Sequence, residues 1–212
     1  MTLRILSAID RQAVPWKNGG GVSREIAAYP AGSNMETFEW RVSAAVVAAN
    51  GPFSVFEGVE RTLAVLDGKG LSLRIGGAAP VLLRPDHDAL GFPGDVAAAA
   101  TLVGGPVTDL NVMTRRGAWS ARVQRRTLGV AAPLTAETDA CLILVRDACE
   151  VSAAPLARQL GPDDALLLAR GDRIELAPSR GAVRLIVIDL SRSSQQTSRR
   201  IIECDGPAPG RR

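Results

Sequence analysis

Histidine is nearly missing from this 212-residue chain, which contains only His87. Zinc and non-haem iron sites in proteins usually draw on several histidines together with a carboxylate. A single histidine in the loop-like stretch "RPDHDALG" does not supply such a ligand set. We therefore expect neither a metal site nor a cofactor.

Cysteines are few, and long apolar runs are missing. Cys141, Cys149 and Cys204 are odd in number and show no CxxC spacing, so no disulfide framework is implied and a reducing compartment fits. There is no secretory leader pattern, and no apolar run approaches about 18 residues. We expect a cytoplasmic protein with no membrane partner.

Excess charge is also small, because 25 basic and 22 acidic residues leave a formal charge of +3. That balance does not argue for nucleic acid, and no RNA-binding, zinc-finger or helix-turn-helix pattern is present. Much of the basic excess lies in residues 193–212, which we expect to form a flexible tail. The sequence contains neither a GxSxG elbow nor a catalytic cysteine signature, so it gives no indication of nucleophilic catalysis.

Strand signals dominate what is present. Short Val/Leu/Ile/Ala-rich runs are interrupted by Gly, Pro, Asp and Asn about every 8–12 residues, which predicts an all-β sandwich or barrel. A hairpin is expected over Asp67–Gly70. Pro/Gly–Asp turns at residues 93–95 and 161–164 each lead into an apolar strand, and this echo predicts two similar β lobes that meet near residues 117–135.

The glycine run of "PWKNGGGVSREI" invites a comparison with phosphate-binding loops. Such loops need the order GxxxxGKS/T before a helix, whereas Lys17 precedes these glycines and a strand-like alternation follows them. Asn18-Gly19 instead predicts a tight hairpin. The hairpin explains the glycines alone, but it does not explain why Trp16, Lys17, Arg24 and Glu25 bracket them.

Two further stretches, "FEWRVSAAV" and "VTDLNVMTRR", place polar residues along single strand faces. Alternation puts Arg41 and Ser43 on one face, and it puts Asp109 and Asn111 on another. These faces either meet solvent or line the mouth of a barrel. If they line the mouth of a barrel, the planar guanidinium of Arg41 can bind a carboxylate. A buried Asp109 would then need a cation such as Arg41 or Lys17.

The blocks "WKNGGGVSREI", "FEWRVSAAVV", "GPFSVFEGVERTLAVLDGKG", "FPGDV" and "DLNVMTRR", in this order, resemble the HutD/Ves family. The resemblance implies an all-β cupin-type jelly roll (double-stranded β-helix) of the bicupin kind, without the usual metal-binding histidines. It implies a cupin-like lobe over residues 1–117, a second over 118–192, and the tail over 193–212. It also implies a regulatory role in histidine utilisation or stress response, with no established reaction.

From the resemblance we expect the first lobe to bind a small carboxylate metabolite, such as urocanate or a formyl or formimino derivative of glutamate. In this expectation Arg41 binds the carboxylate, and Trp40 and Phe53 form apolar walls of the site. The other residues orient polar groups or balance charge. The expected ligand-binding residues are Lys17, Asn18, Arg24, Trp40, Arg41, Ser43, Phe53, Asp109 and Asn111.

Two other classes of function remain open from the sequence. One is a metal-independent isomerase or hydrolase that acts on a small acidic metabolite, with Lys17, Glu25 or Asp109 as acid and base. The other is an interaction partner of a pathway enzyme or regulator. A monomer and a homodimer are both compatible with the sequence.

Overall fold

The computed structural model describes residues 3–16 and 20–193. Lys17, Asn18 and residues 194–212 therefore lie outside the described residues, and the predictions made for them are not addressed. The described residues form nineteen strands and no helix, so nothing in this part of the chain could cross a membrane as a helix. The prediction of an all-β protein is confirmed.

The strands follow one another closely along the chain. The first ten are β1 (Arg4–Leu6), β2 (Ala13–Pro15), β3 (Gly21–Tyr29), β4 (Trp40–Val47), β5 (Gly51–Pro52), β6 (Val59–Asp67), β7 (Leu71–Ile75), β8 (Val81–Leu83), β9 (Leu90–Pro93) and β10 (Ala98–Leu102). The remaining nine are β11 (Val107–Arg115), β12 (Trp119–Leu128), β13 (Ala132–Thr135), β14 (Ala140–Val145), β15 (Cys149–Ala153), β16 (Leu156–Leu160), β17 (Ala165–Ala169), β18 (Arg173–Pro178) and β19 (Val183–Arg192).

These strands build four antiparallel sheets, which we number I to IV. Sheet I has the order β5-β10-β7-β8, and sheet II has the order β2-β3-β4-β11-β6-β9. Sheet III has the order β1-β17-β14-β19-β12, and sheet IV has the order β13-β18-β15-β16. Sheets I and II use only strands between residues 13 and 115, whereas β1 from the start of the chain pairs with β17 in sheet III.

Three apolar cores hold the sheets in the layer order I–II–III–IV. Leu63 of sheet II packs with Leu73 of sheet I, and Cys141 of sheet III packs with Leu176 of sheet IV. The middle core joins sheets II and III, where Leu110 and Leu144 are both buried. Sheets II and III are thus covered on both faces, which explains the continuous apolar run of β14.

The hairpin expected over Asp67–Gly70 is wrong, although both flanking strands form. β6 belongs to sheet II and β7 to sheet I, so the turn carries the chain from one sheet to the facing sheet. The turn is tight: Gly68 has a φ of +100°, and a Cβ there would lie 2.7 Å from the carbonyl oxygen of Pro106. A jelly roll makes many such crossings, and local sequence does not distinguish them from hairpins.

The division of the chain into two similar lobes at residue 117 stays a prediction. The gap between β11 and β12 does fall at that position, and each side of it contributes a pair of facing sheets. Pairing of sheets alone does not establish that the two halves are copies of one unit.

Candidate functional site

Polar side chains gather on the face of sheet II that turns toward sheet I. Within β6, Leu63 belongs to the core between these sheets, and strand alternation puts Arg61 on the same face. Ser43 lies directly opposite Asn111 on the neighbouring strand. The residues that share this face are called the inner polar cluster below: Arg41, Ser43, Arg61, Asp109 and Asn111.

Arg41 lies at the open side of the inner polar cluster. Its Nε donates to Oε2 of Glu25 at 2.8 Å, and its Nη1 donates to Oγ of Ser43 at 3.2 Å. The Arg41 side chain is 15% exposed, while that of Glu25 is 47% exposed. The guanidinium is therefore held in place at the edge of the interior, and within the described residues its Nη2 donates no hydrogen bond.

Arg61 is the buried cation of the cluster. Its Nε donates to Oδ1 of Asn111 at 3.3 Å, and its Nη1 donates to the carbonyl oxygen of Ser54 at 3.2 Å. The guanidinium lies over three aromatic rings, with centroid distances of 5.0 Å to Phe53, 5.2 Å to Phe92 and 5.7 Å to Phe56. Such cation–π contacts offset part of the cost of desolvating the charge.

Burial lowers the pKa of Arg61 to about 10, and the negative charge of Asp109 works in the opposite direction. The guanidinium thus stays protonated at neutral pH. Within the described part of the chain its Nη2 donates no hydrogen bond. Arg61 therefore keeps a donor for an additional acceptor in the interior.

Asp109 is the buried acid of the cluster, and the residue is only 2% exposed. It lies opposite Ala45 on β4 and Val65 on β6, which offer no polar side chain. Burial raises the pKa of Asp109 to about 7, and the Arg61 charge partly opposes this shift. Its Oδ1 accepts no hydrogen bond within the described residues.

The β2–β3 hairpin adds Trp16 to the same interior. Pro15 pairs with Val22, and the backbone N–H of Trp16 donates to the carbonyl oxygen of Gly21 at 2.9 Å. The indole Nε1 donates to Oγ of Ser23 at 2.7 Å, and the ring packs against the core between sheets I and II. A Cβ at Gly21 would lie 2.9 Å from this ring and 2.5 Å from a backbone oxygen, so only glycine lets the indole lie so close.

The structure brings five of the nine predicted site residues together. Arg41, Ser43, Asp109 and Asn111 belong to the inner polar cluster, and Phe53 contacts it through the Arg61 guanidinium. The expected cation for Asp109 was Arg41 or Lys17, whereas among the described residues the charge that acts on Asp109 is that of Arg61. Lys17 and Asn18 lie outside the described residues.

Trp40 and Arg24 are placed elsewhere, so the expectation that they join the other site residues is corrected. Trp40 lies on the opposite face of β4, in the core with sheet III, where its ring is 6.0 Å from Tyr29 and 6.4 Å from Trp119. Arg24 is exposed and lies opposite Ala44, which also belongs to that second face. Both placements follow from strand alternation, because a residue next to one that faces sheet I points to the opposite face of sheet II.

Arg61 was not among the predicted site residues, although the sequence carries a signal for it. In "VERTLAVL" the same alternation that makes Leu63 and Val65 core residues places Arg61 in their row. A lone charge within an apolar strand face requires partners, which here are Asn111 and the phenylalanine rings.

Two clefts open between sheets II and III. One has a volume of about 350 Å³ and is bordered by Arg61 of the inner polar cluster, Trp119 and Ser120 among others. The second, of about 300 Å³, lies between the segment of Arg11 and β3. Neither is lined by Arg41, Ser43, Asp109 or Asn111. We favour the inner polar cluster as the site because it concentrates buried charges that lack full pairing.

The described residues include no group of three His, Cys, Asp or Glu side chains arranged to hold a metal ion. His87 lies in a loop, where its Nδ1 is 3.0 Å from the carbonyl oxygen of Leu82.

Facing antiparallel sheets with these crossings give the chain a cupin-type fold. A cupin 2 conserved barrel domain protein from Leptotrichia buccalis superposes with a TM-score of 0.55 at 10% identity, covering 88% of this chain and all of that one, which shows the fold alone. More narrowly, the chain belongs to the HutD family, whose model matches residues 8–185.

Curated relatives agree with that assignment. The chain is 37% identical over 122 residues to an uncharacterised 21.2 kDa protein in the hutC 3′ region of Pseudomonas putida, covering 58% of this chain and 63% of the relative. It is 41% identical over 110 residues to protein Ves of Citrobacter koseri, covering 51% and 56%. The chain thus matches less than two thirds of the length of these relatives.

Two solved structures match along nearly the whole chain. A conserved protein of unknown function from Pseudomonas aeruginosa PAO1 has a TM-score of 0.81 at 31% identity, covering 90% of this chain and 100% of that one. HutD from Pseudomonas fluorescens SBW25, in a structure described as a formate condition, has a TM-score of 0.75 at 28% identity, covering 90% and 99%.

Proposed function

We propose that this protein binds a small carboxylate metabolite in the inner polar cluster and through it has a regulatory role in histidine utilisation or stress response. The link to histidine utilisation rests on membership of the HutD family and on a relative named after the hutC region. Urocanate and the formyl or formimino derivatives of glutamate are the candidate ligands.

The observation that carries the proposal is the placement of two guanidinium groups on either side of β11, facing the same interior. Arg41 and Arg61 both lie opposite Met113, one on each neighbouring strand. Each is fixed by hydrogen bonds from two of its nitrogens, and within the described residues each keeps Nη2 as a donor. Planar guanidinium groups match the two oxygens of a carboxylate.

Asn111 adds a neutral donor between the two arginines. Its Oδ1 accepts from Arg61, which fixes the amide orientation and leaves Nδ2 to donate. Ser43 lies directly opposite on β4 and is buried. A carboxylate in this position would meet donors from three adjacent strands, β4, β11 and β6.

The local charge balance also favours an anion. Glu25 pairs with Arg41, so its charge is largely compensated. Burial raises the pKa of Asp109 to about 7, so its negative charge is disfavoured and does not fully balance that of Arg61. The interior therefore carries a net positive charge, which acts more strongly where water is excluded.

Isothermal titration calorimetry with urocanate and with N-formyl-L-glutamate tests the proposal. We expect Arg41→Ala to weaken binding of the better ligand by about 10- to 100-fold, because a charged hydrogen bond is worth about 1.5–3 kcal/mol. The matched control is Arg24→Ala, which removes an exposed arginine from the other face of the same sheet. We expect that control to bind like the unaltered protein.

Unchanged affinity in Arg41→Ala, or an equal loss in Arg24→Ala, would contradict a carboxylate clamp at this position. Turnover of either compound, followed by loss of substrate absorbance or by chromatography, would instead support the alternative of a metal-independent enzyme.

A further inference from the structure

We propose that Asp109 is the resident counterion of Arg61 and that a bound anion replaces it, so that Asp109 takes up a proton as the ligand binds. This inference rests on the proposed function and deepens it. Asp109 is thus a positioning residue, because its protonation state sets the net charge that the ligand meets.

The geometry places one buried acid and one buried cation on the same face of sheet II. Asp109 lies two residues before Asn111 on the same face of β11, and Asn111 accepts a hydrogen bond from Arg61. Asp109 and Arg61 attract one another, yet no direct hydrogen bond or ion pair joins them in the described structure. The guanidinium is therefore open to a different anion.

Few other groups influence Asp109. Among the described residues on the inner face of sheet II, Arg41 on β4 and Glu25 on β3 pair with each other. Arg115, at the end of β11, lies over the Phe38 ring and donates to three backbone carbonyl oxygens. The facing strands of sheet I present apolar side chains to this core, namely Leu71, Leu73, Ala98 and Ala100. Among the described residues, Arg61 alone offsets the cost of burying the Asp109 charge.

A neutral carboxyl group is much cheaper to bury than a carboxylate, particularly when one oxygen accepts no hydrogen bond. The raised pKa of about 7 agrees with this environment. An anion on Arg61 would place a second negative charge beside Asp109 and raise its pKa further. Binding of the anion and protonation of Asp109 are thus thermodynamically linked.

The linkage predicts a definite pH dependence. At pH values below about 7 Asp109 is already neutral, so the anion binds with its full affinity and little proton uptake. Above that pH, binding takes up one proton, and affinity falls by up to about tenfold per pH unit. The affinity stops falling at the pH that equals the pKa of Asp109 in the complex.

Calorimetry with N-formyl-L-glutamate between about pH 5.5 and pH 9 tests this, because its carboxylates stay ionised throughout that range. Titrations in two buffers of different ionisation enthalpy give the number of protons taken up. We expect close to one proton per ligand at about pH 8.5 and almost none at about pH 5.5. Asp109→Asn should bind at alkaline pH as tightly as the unaltered protein binds at acid pH.

Asp189→Asn is the matched control, since it removes a half-buried carboxylate from sheet III. It should retain the pH profile of the unaltered protein. A pH-independent affinity, an absence of proton uptake, or an unaltered profile in Asp109→Asn would overturn the inference while leaving the proposed function intact. If Asp109→Asn does not fold, proton uptake by the unaltered protein decides the question. A failure of both N-formyl-L-glutamate and urocanate to bind at any pH would overturn the proposed function itself.

Discussion

At the scale of single residues, burial makes the ionisation of Asp109 costly. Its pKa in the folded protein, about 7, is above the ordinary aspartate value of about 3.9. A raised pKa in the folded state means that the stability contributed by this group is full below about pH 4. That contribution is lost as the pH rises through about 7.

Replacement of Asp109 by asparagine should therefore change stability in a pH-dependent way. The neutral side chain should raise the melting temperature at about pH 8 relative to the unaltered protein, and should change it little at about pH 4. Each kcal/mol of change in the free energy of unfolding shifts the melting temperature by roughly 2–4 °C for a chain of this size. Thermal unfolding followed by circular dichroism measures the difference, and an equal shift at both pH values would contradict the expected ionisation of Asp109.

The limits of sequence reasoning at this scale are visible in Arg61. Alternation correctly grouped Arg41 with Ser43 and Asp109 with Asn111, since period-two patterns depend only on strand geometry. The partner of Asp109 was missed because it comes from a third strand, β6, whose position beside β11 is set by long-range pairing. Local sequence carries no direct information about that register.

At the scale of elements, the β2–β3 hairpin depends on Gly21. Its backbone requires no unusual φ, so the need for glycine is one of space rather than conformation. The absent side chain leaves room for the Trp16 indole and for the carbonyl oxygen of Val46. This close approach is what the glycine-rich stretch of the sequence provides.

Gly21→Ala should destabilise the protein by about 1–3 kcal/mol, because the added methyl forces Trp16 or the backbone to shift. Urea unfolding measures this change. Gly51→Ala is the matched control, since it also lies in a strand and a methyl group added there would meet nothing within 4 Å. Equal stability of the two variants would contradict a packing role for Gly21.

Strand alternation also fails where strands begin. Alternation extended back through "FEWRV" would put Phe38 on the same face as Trp40. β4 begins only at Trp40, and Phe38 packs instead with Val59 and Met113. Glu39 turns to the other side and accepts a hydrogen bond from the indole of Trp119 at 2.6 Å. Period-two reasoning holds only inside a regular strand.

At the scale of the whole molecule, the middle core between sheets II and III joins the two pairs of sheets. Leu110 from sheet II and Leu144 from sheet III are both almost fully buried there. Further links cross the same boundary, since Arg125 donates to the carbonyl oxygens of Val65 and His87 at 2.7 Å and 2.9 Å. The two pairs of sheets should therefore unfold as one unit.

Leu144→Ala tests that coupling. The loss of a buried leucine should cost about 2–5 kcal/mol and should lower a single calorimetric transition. Val130→Ala, at a position that is 75% exposed, serves as the control and should change stability little. Two separate transitions, with only one of them shifted by Leu144→Ala, would contradict a shared core.

The overall class of the molecule was accessible from the sequence, because ordered blocks and strand spacing identify a fold without fixing side-chain partners. The family assignment agrees with the matched region, residues 8–185. The layer order of the four sheets was not accessible, since it depends on which faces of sheets II and III bury each other. That packing is a property of the assembled chain.

A crystal structure of the protein with N-formyl-L-glutamate tests the central claim most directly. The account predicts a ligand carboxylate inside the first pair of sheets, about 2.7–3.1 Å from guanidinium nitrogens of Arg41 or Arg61. A ligand seated instead in the cleft beside Trp119 and Ser120, with no contact to a guanidinium nitrogen of Arg41 or Arg61, would contradict it.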